Sequence, residues 1–151
     1  YICENNQYGM GTSQERAMST RNIAKKAEAF EMANEFVDGM DVMAVRDATL
    51  RAIARAREDG SPTLLEVRAY RFMGHSMSDP GNYRTRDEIK KYQERDPIIL
   101  FQDSLRESKV LGDKDFEKIE AEAAAAVEKA VKFADESPFP QESELFTDVY
   151  A

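Results

Sequence analysis

Residues 4–13 read ENNQYGMGTS and contain the first side chains that could bind a ligand or a metal ion. They follow the apolar residues 1–3, which are typical of a strand, and open α/β sheets bind ligands at the carboxyl ends of their strands. The Asn6 side-chain oxygen and the Tyr8 backbone carbonyl are hard donors of the kind that Mg²⁺ takes beside a phosphate. Asn and Gly are also common turn formers. The spacing alone therefore does not choose between a metal site and a simple turn.

Residues 74–80 read GHSMSDP and contain the only histidine of the chain, His75. A histidine in a loop after a strand can carry a proton or bind an anion near neutral pH. It can equally be an exposed loop residue, because one histidine without a defined partner specifies no catalytic geometry. Ser76 and Ser78, beside Asp79, are either turn formers or sites of modification. Both sets of alternatives stay open at this stage.

Two arginines, Arg84 and Arg86, follow that loop in the stretch YRTRDEI at residues 83–89. A guanidinium group can bind a phosphate or a carboxylate through two parallel hydrogen bonds. The chain has 29 acidic and 21 basic residues, so ordinary surface ion pairs are the simpler alternative. We therefore expect these arginines to pair with nearby acids.

The elements that must position these residues have an α/β pattern. Residues 1–3 and 36–37 predict strands, and residues 63–70 predict a third. Between the last two, apolar residues recur at helical spacing over 42–56, and this helix ends before Gly60. A strand, a helix and a strand in this order form a crossover unit of a parallel sheet.

The remainder of the chain predicts a long loop and several helices. Residues 73–85 contain too many turn formers for a regular element, so we expect a functional loop that is mobile when no cofactor is bound. Further helices are predicted at 22–32, 87–95, 98–110 and 116–134. The closing residues 139–151 predict an extended tail.

The composition excludes several classes of protein. Of the 151 residues, 42% are hydrophobic and 33% are charged, as in a globular domain. A net charge of −8 argues against a nucleic-acid partner, whose affinity would need clustered Lys and Arg. Cys3 is the only cysteine, so this chain alone builds neither a disulfide nor a thiolate metal site. No apolar run approaches the roughly 18 residues that span a bilayer, so we expect no membrane partner.

The motifs follow one another in a specific order. ENNQYGMGTS comes first, followed by VDGMD at 37–41, a strand ending in Tyr70-Arg71, GHSMSDP and YRTRDEI. In this order they resemble the alpha subunits of thiamine-diphosphate-dependent 2-oxo acid dehydrogenases, and most closely the decarboxylating component of pyruvate dehydrogenase. The likeness extends from Cys3 to the DVY that ends at Tyr150.

The resemblance implies an α/β fold that is part of a parallel-sheet thiamine-diphosphate-binding fold, with helices around it and a helical C-terminal region. Residues 1–86 would form the C-terminal part of the thiamine-diphosphate-binding α/β domain, and residues 87–151 a helical C-terminal extension of the same domain. The chain opens with Tyr1 rather than Met, inside a strand-like run, so we expect a fragment of a longer subunit. The family's Gly-Asp-Gly motif, whose Asp binds the metal, would lie upstream of it.

The cofactors of that family are thiamine diphosphate and Mg²⁺. The resemblance implies that Asn6 and the carbonyl of Tyr8 complete the Mg²⁺ shell, which makes both of them metal-binding and cofactor-binding candidates. It places His75 near the diphosphate and the substrate channel, as the candidate catalytic residue and a further cofactor contact. Arg71 matches an arginine that helps to hold the loop over the cofactor, and it completes the cofactor-binding set.

The implied reaction is the oxidative decarboxylation of pyruvate, with transfer of the acetyl group to a lipoyl group. The implied partners are the beta subunit, in an alpha2beta2 heterotetramer, and the lipoyl acyltransferase component. In this family the glutamate that activates the cofactor belongs to the beta subunit. We therefore expect the isolated fragment to be inactive.

Ser76 matches a serine that is phosphorylated in mitochondrial relatives, and Ser13 matches a second class of site. A phosphate of about −1.5 to −2 charges would repel the cofactor's diphosphate and disorder the loop. The segment between Pro80 and Tyr83 is one residue shorter than the animal pattern and lacks its serine. We therefore expect a bacterial, cytoplasmic protein without this regulation; a eukaryotic one would lie in the mitochondrial matrix.

Three other interpretations remain. Within the family, the chain could come from a branched-chain 2-oxo acid or acetoin dehydrogenase, because the substrate pocket is shared with the beta subunit. Outside it, an acidic, non-catalytic interaction module could dock through the amphipathic helix at 116–134. A small receiver domain is a further alternative, but the sequence lacks the early acidic cluster that it would need.

Overall fold

In a computed structural model that describes residues 1–150, the chain forms a three-stranded parallel sheet with helices around it. The strands of this sheet are β1 (Ile2–Asn5), β4 (Ala33–Asp38) and β5 (Thr63–Arg68), in the order β1-β5-β4. A short antiparallel pair, β2 (Tyr8–Gly9) and β3 (Thr12–Ser13), follows β1. The predicted α/β class with a parallel sheet is confirmed.

The helices account for most of the remaining described residues. They are α1 (Gln14–Ala17), α2 (Val42–Glu58), α3 (Arg86–Gln93), α4 (Pro97–Glu107) and α5 (Asp113–Glu136), with 3-10 helices at Ala24–Phe30 and Glu142–Phe146. Among residues 1–150, none of these helices is both long enough and apolar enough to cross a membrane.

The core lies where α2 packs on the sheet. Val37 of β4, Ala48 of α2 and Leu65 of β5 are buried together, and Ala48 is 0% exposed. The apolar period of α2 places its small and branched side chains on the sheet side, as the sequence predicts. Because α2 joins two neighbouring parallel strands, it fixes the carboxyl ends of β4 and β5 at one edge.

Asp41 caps the first turn of α2. Its carboxylate accepts hydrogen bonds from the backbone amides of Met43 and Ala44, both at 3.0 Å. We expect Asp41→Ala to lower the free energy of unfolding by about 1 kcal/mol, because two amides at the helix start lose their partner. Denaturant titration followed by circular dichroism measures this change. Asp47→Ala, on the same helix and paired only with Arg46 at the surface, is the control and should change stability by less than about 0.5 kcal/mol.

Gly39, in the VDGMD stretch, is required for a steric reason. The backbone amide of Gly39 donates to the carbonyl of Arg68 at 2.7 Å, which joins the turn after β4 to the end of β5. A Cβ atom at Gly39 would lie 2.7 Å from that carbonyl oxygen. Only glycine allows the two strand ends to approach so closely.

Two segments differ from the sequence prediction. The predicted helix at 22–32 is a shorter 3-10 helix at Ala24–Phe30, and the amides at its start donate to a carboxylate of β5. The predicted extended tail contains the 3-10 helix Glu142–Phe146, which local backbone bonds close. Of that tail, Ala151 lies outside the described residues.

The chain divides into two compact units, one at Tyr1–Ser104 and the other beginning at Leu105. In the second unit the guanidinium of Arg106 lies 4.8 Å from the ring centre of Phe116 and bonds to Asp113 at 2.9 Å. Phe116 is buried at the start of α5, whereas Ile119 and Val127 of the same predicted stripe are exposed. The stripe therefore forms a helix as predicted, but only its first residue is buried.

Candidate functional site

The two motif-bearing segments lie at the same edge of the sheet. β1 and β5 are adjacent parallel strands, with Asn5 opposite Arg68, and the amide of Ala69 donates to the Asn5 carbonyl at 2.9 Å. The Asn6–Tyr8 turn leaves from the carboxyl end of β1, and the loop that carries His75 leaves from the carboxyl end of β5. This edge is where parallel α/β sheets bind ligands.

A buried carboxylate organises the base of this site. The side chain of Glu66, on the central strand β5, is 0% exposed. It accepts hydrogen bonds from the Asn5 side-chain amide at 2.7 Å, from the Ala24 amide at 3.0 Å and from the backbone amide of Ile23. Arg68 lies 3.2 Å from it. Burial acts to raise the pKa of Glu66, but the bonds from Asn5, Ala24 and Arg68 outweigh burial and hold this pKa below its ordinary value of 4.5.

Glu66 is not among the site residues predicted from the sequence. A signal was present, because a glutamate inside the apolar run of a central strand must be paired when it is buried. Apart from Arg68 on the same strand, the partners of Glu66 come from two distant segments, which only the fold brings together. Asn5, the residue that Glu66 holds, therefore anchors the turn in which Asn6 is the candidate ligand.

The Asn5-Asn6 pair does form a turn, as one of the two interpretations predicted. The Asn5 side-chain oxygen accepts from the Gln7 amide at 3.2 Å, and the Asn6 side-chain oxygen accepts from the Tyr8 amide at 3.1 Å. Gln7 has a φ of 75°. This left-handed conformation is strained for a residue with a side chain, and the turn is held in it by these bonds.

The turn also leaves two oxygen donors available. Tyr8 lies opposite Ser13 in the short antiparallel pair, and the Gln14 amide donates to the Gln7 carbonyl at 2.9 Å. This register makes Tyr8–Ser13 a non-hydrogen-bonded pair, so the Tyr8 carbonyl takes no part in the ladder. The Asn6 side-chain oxygen keeps a second lone pair. Asn6 and Tyr8, two residues apart in the turn, thus each keep an oxygen of the kind that suits a hard cation.

These two oxygens alone would not complete the coordination of a Mg²⁺ ion. Mg²⁺ needs near-octahedral coordination, normally with at least one carboxylate or phosphate oxygen. Within residues 1–150, no three His, Cys, Asp or Glu side chains are grouped so that they could hold a metal ion. A cavity of about 370 Å³ adjoins the turn, lined among others by Asn6, Tyr8 and Gln14, and its size is in the range of small-molecule sites.

The loop after β5 is folded around Asp79, whose side chain is 4% exposed. Its carboxylate accepts from the Tyr83 hydroxyl at 2.7 Å, the His75 amide at 2.9 Å and the Gly81 amide at 2.8 Å. These bonds hold the pKa of Asp79 well below its ordinary value of 3.8. A Cβ atom at Gly74 would lie 2.9 Å from the Asp79 carbonyl oxygen, so the tight loop needs glycine there.

His75 is paired with the same carboxylate. Its Nδ1 atom lies 2.7 Å from the Asp79 Oδ2 atom, and 35% of its side chain is exposed. In the neutral imidazole this contact places the proton on Nδ1, which leaves Nε2 with the lone pair. His75 can therefore accept a proton or a hydrogen bond through Nε2. Its bond is to Asp79 and not to Asn6 or Tyr8, so the structure brings these candidates to one edge without joining them.

Arg71 links the turn side of the site to the loop. It donates to the carbonyl of Met10 at 2.7 Å, to the hydroxyl of Tyr83 at 2.8 Å and to the carbonyl of Met73 at 3.2 Å. Met10 lies between β2 and β3, and Tyr83 is bonded to Asp79. The guanidinium therefore bridges the hairpin after Asn6 and the Asp79-centred loop.

The prediction that Arg84 forms an ion pair with a nearby acidic residue is wrong. The guanidinium of Arg84, a buried residue, donates to the carbonyl of Phe72 at 3.0 Å, to that of Met73 at 2.6 Å and to that of Arg71. Three consecutive carbonyls in an irregular segment need donors, and one planar guanidinium supplies them. Arg86, the second arginine of the motif, begins α3.

The two candidate phosphorylation sites have different surroundings. Ser76 is exposed on the loop, where its hydroxyl lies 3.2 Å from that of Ser78. Ser13 ends β3 opposite Tyr8 and directly precedes α1. Neither serine is bonded to His75, which is adjacent to Ser76 in sequence.

Comparison with known proteins identifies the family. The sequence model described as dehydrogenase E1 component matches residues 1–143, nearly the whole chain. The chain belongs to the dehydrogenase E1 component family. This membership confirms the resemblance to 2-oxo acid dehydrogenase alpha subunits, and the family depends on thiamine diphosphate.

Individual relatives of this E1 component chain are named as alpha subunits of pyruvate dehydrogenase. The pyruvate dehydrogenase E1 component subunit alpha of Rickettsia felis is 41% identical over 150 residues, which are 99% of this chain and 46% of that protein. The chloroplastic alpha-3 subunit of Arabidopsis thaliana is 43% identical over 151 residues, 100% of this chain and 35% of that protein. The mitochondrial alpha subunit of Sminthopsis macroura is 41% identical over 153 residues, 100% of this chain and 42% of that protein. The chain thus spans less than half the length of these curated relatives.

Proposed function

We propose that this chain is part of the alpha subunit of a pyruvate dehydrogenase that binds thiamine diphosphate through Mg²⁺. The observation that carries the proposal is the placement of the Asn6 and Tyr8 oxygens and of the His75 loop at one sheet edge, bridged by Arg71. The names of the relatives support pyruvate as the substrate. The reaction is the oxidative decarboxylation of pyruvate, with transfer of the acetyl group to a lipoyl group.

When bound, thiamine diphosphate supplies the carbanion that attacks the keto carbon and allows loss of CO₂. In this chain, Asn6 and the Tyr8 carbonyl would hold the Mg²⁺ that neutralises the diphosphate. His75 would accept a hydrogen bond through Nε2 while Asp79 fixes its tautomer. Arg71 and Arg84 hold the loop, which would exclude water from the site when the cofactor is bound.

The remaining parts of the proposal concern the assembly. The partners are the beta subunit, in an alpha2beta2 heterotetramer, and the lipoyl acyltransferase component. Residues 1–86 would contribute to the cofactor-binding domain and residues 87–151 to its helical extension. The compartment would be the bacterial cytoplasm, or the mitochondrial matrix for a eukaryotic protein. Ser76 and Ser13 stay candidates for phosphorylation, with Ser76 the more accessible.

Calorimetric titration with thiamine diphosphate and Mg²⁺ tests the proposal. The complete alpha subunit with its beta partner should bind the cofactor only when Mg²⁺ is present, and this chain alone should bind poorly, because two neutral donors make an incomplete shell. Asn6→Ala should weaken binding in the assembled protein by at least about tenfold. Asn82→Ala, on the exposed part of the same site's loop, is the matched control and should bind normally. No Mg²⁺-dependent binding by the assembled protein would favour the non-catalytic interaction module.

A further inference from the structure

Two tyrosine hydroxyls share one carboxylate beneath the Asn6–Tyr8 turn. The Oε1 atom of Glu88, on α3, accepts from the Tyr8 hydroxyl at 2.8 Å and from the Tyr70 hydroxyl at 2.8 Å. Tyr8 belongs to the turn after β1, and Tyr70 follows β5. One glutamate therefore joins α3 to both segments that carry the candidate site.

Glu88 is held in place without help from Tyr8. Tyr92, one helical turn after Glu88 on α3, stacks on Tyr70 with ring centres 3.9 Å apart and planes 5° apart. Tyr70 is buried, so this stack fixes α3 against the end of β5. The guanidinium of Arg84 lies 5.4 Å from the Tyr70 ring centre and 5.7 Å from that of Tyr8. The carboxylate of Glu88 is thus a preset acceptor for the Tyr8 hydroxyl.

Tyr8 needs such an anchor, because its backbone has few others. β2 is only two residues long, Tyr8 is in a non-hydrogen-bonded position of its ladder, and the preceding Gln7 has a φ of 75°. The Tyr8 amide bonds locally to the Asn6 side chain. The hydroxyl bond to Glu88 is therefore the long-range hydrogen bond that ties this residue to the rest of the fold.

We propose that Glu88 is a positioning residue for the metal segment: by accepting the Tyr8 hydroxyl, it fixes the backbone that presents the Tyr8 carbonyl beside the Asn6 oxygen. This inference rests on the proposed Mg²⁺ and thiamine diphosphate function. Residues behind a metal ligand commonly orient it in this way and change the affinity for the metal when they are removed.

The ionisation states agree with this arrangement. Burial, together with the neighbouring carboxylate, raises the pKa of Tyr8 to about 12 and that of Tyr70 to about 12. Both hydroxyls therefore keep their protons throughout the neutral range and donate to Glu88.

Two matched tyrosine variants test the proposal in the complete alpha subunit assembled with its beta partner. Tyr8→Phe and Tyr70→Phe each remove one hydroxyl from the same carboxylate and keep the ring. We expect Tyr8→Phe to raise the Mg²⁺ concentration needed for half-maximal cofactor binding by about tenfold. Tyr70→Phe should leave that concentration within about twofold, because the Tyr92 stack still holds the helix. Thermal unfolding of the assembled protein should shift by similar amounts in both variants.

A third variant, Glu88→Ala, tests whether the effect of Tyr8 depends on Glu88. With Glu88→Ala as the background, Tyr8→Phe should cause no further loss of Mg²⁺ affinity, since its acceptor is already absent. The inference fails if Tyr8→Phe keeps normal Mg²⁺ affinity, or if Tyr70→Phe weakens it equally, while the parent protein binds its cofactor. If the parent protein shows no Mg²⁺-dependent binding at all, the proposed function fails and this inference falls with it.

Discussion

Glu66→Ala is expected to lower the free energy of unfolding by about 3–5 kcal/mol. The substitution removes a carboxylate that is 0% exposed and leaves the Ile23 and Ala24 amides without their acceptor. The Asn5 side chain and Arg68 each lose one acceptor and keep another. A buried donor without an acceptor keeps the full free-energy penalty of desolvation. The expected loss of stability therefore exceeds the contribution of any single hydrogen bond. Equilibrium denaturant titration, followed by circular dichroism, measures it.

Glu35→Ala is the matched control. Glu35 lies on β4 opposite Leu65, one register position from Glu66, and it pairs with Arg51 at the surface. Removing an exposed ion pair should cost less than about 1 kcal/mol. Equal losses in the two variants would show that Glu66 acts as an ordinary surface charge, and would contradict the role given to it here.

The contribution of Glu66 also depends on pH. Its pKa in the folded chain is below the ordinary 4.5, so the unfolded chain binds a proton more readily. The stabilisation is therefore complete above pH 4.5 and is lost as the pH falls through the lower, folded-state pKa. The stability difference between the parent chain and Glu66→Ala should accordingly shrink in acid. A difference that stays constant through this range would argue against a charged Glu66.

Asp79→Asn is expected to release the loop at 73–85. The variant keeps the size of the side chain but removes the charge that accepts from Tyr83, His75 and Gly81. Hydrogen bonds to a charged acceptor are stronger than neutral ones, so the amides of His75 and Gly81 should exchange with deuterium at least about tenfold faster. Hydrogen exchange read by mass spectrometry, with limited proteolysis alongside, measures this.

Asp87→Asn serves as the control for the loop. Asp87 is an exposed residue in the first turn of α3, where the same chemical change removes only a weak interaction with the helix end. Its exchange pattern over 73–85 should match that of the parent chain. Unchanged exchange in Asp79→Asn would mean that the loop does not depend on this carboxylate. The prediction that the loop is mobile without cofactor stays open to the same measurement.

Most of the fold could be predicted from periodic patterns of apolar residues in the sequence. Helix α2 and strand β5 follow from the apolar spacing over 42–56 and the strand character over 63–70, because each element buries one continuous face. The 3-10 helix at Ala24–Phe30 did not follow, since its start is set by bonds to Glu66 rather than by local propensity. Tertiary contacts of this kind produce no periodic pattern of residues in the sequence.

The same distinction applies to the site. Asn6 and His75 could be selected because each follows a strand end, and that position can be read from the chain. The hydrogen bonds among the site residues could not be predicted from the sequence. Glu88 accepts from Tyr8 and Tyr70, which are separated from it by 80 and 18 positions along the chain. Arg84 donates to backbone carbonyls, which every residue type has. Arg84 was expected to pair with an acid because composition describes how many charges exist, not which backbone groups lack donors.

The order of strands in the sheet has a consequence for how the chain folds. β1 is separated from β4 by β5, and Ile2 pairs with Leu65. Among the described strands the one that pairs with β1 is β5, which comes much later in the chain, and closing so long a loop costs entropy before the pairing offsets it. Helix α2 can form early from local contacts, whereas the edge that carries Asn6 is completed only when β5 inserts between β1 and β4. Sheet assembly and site assembly are in this sense one late kinetic event.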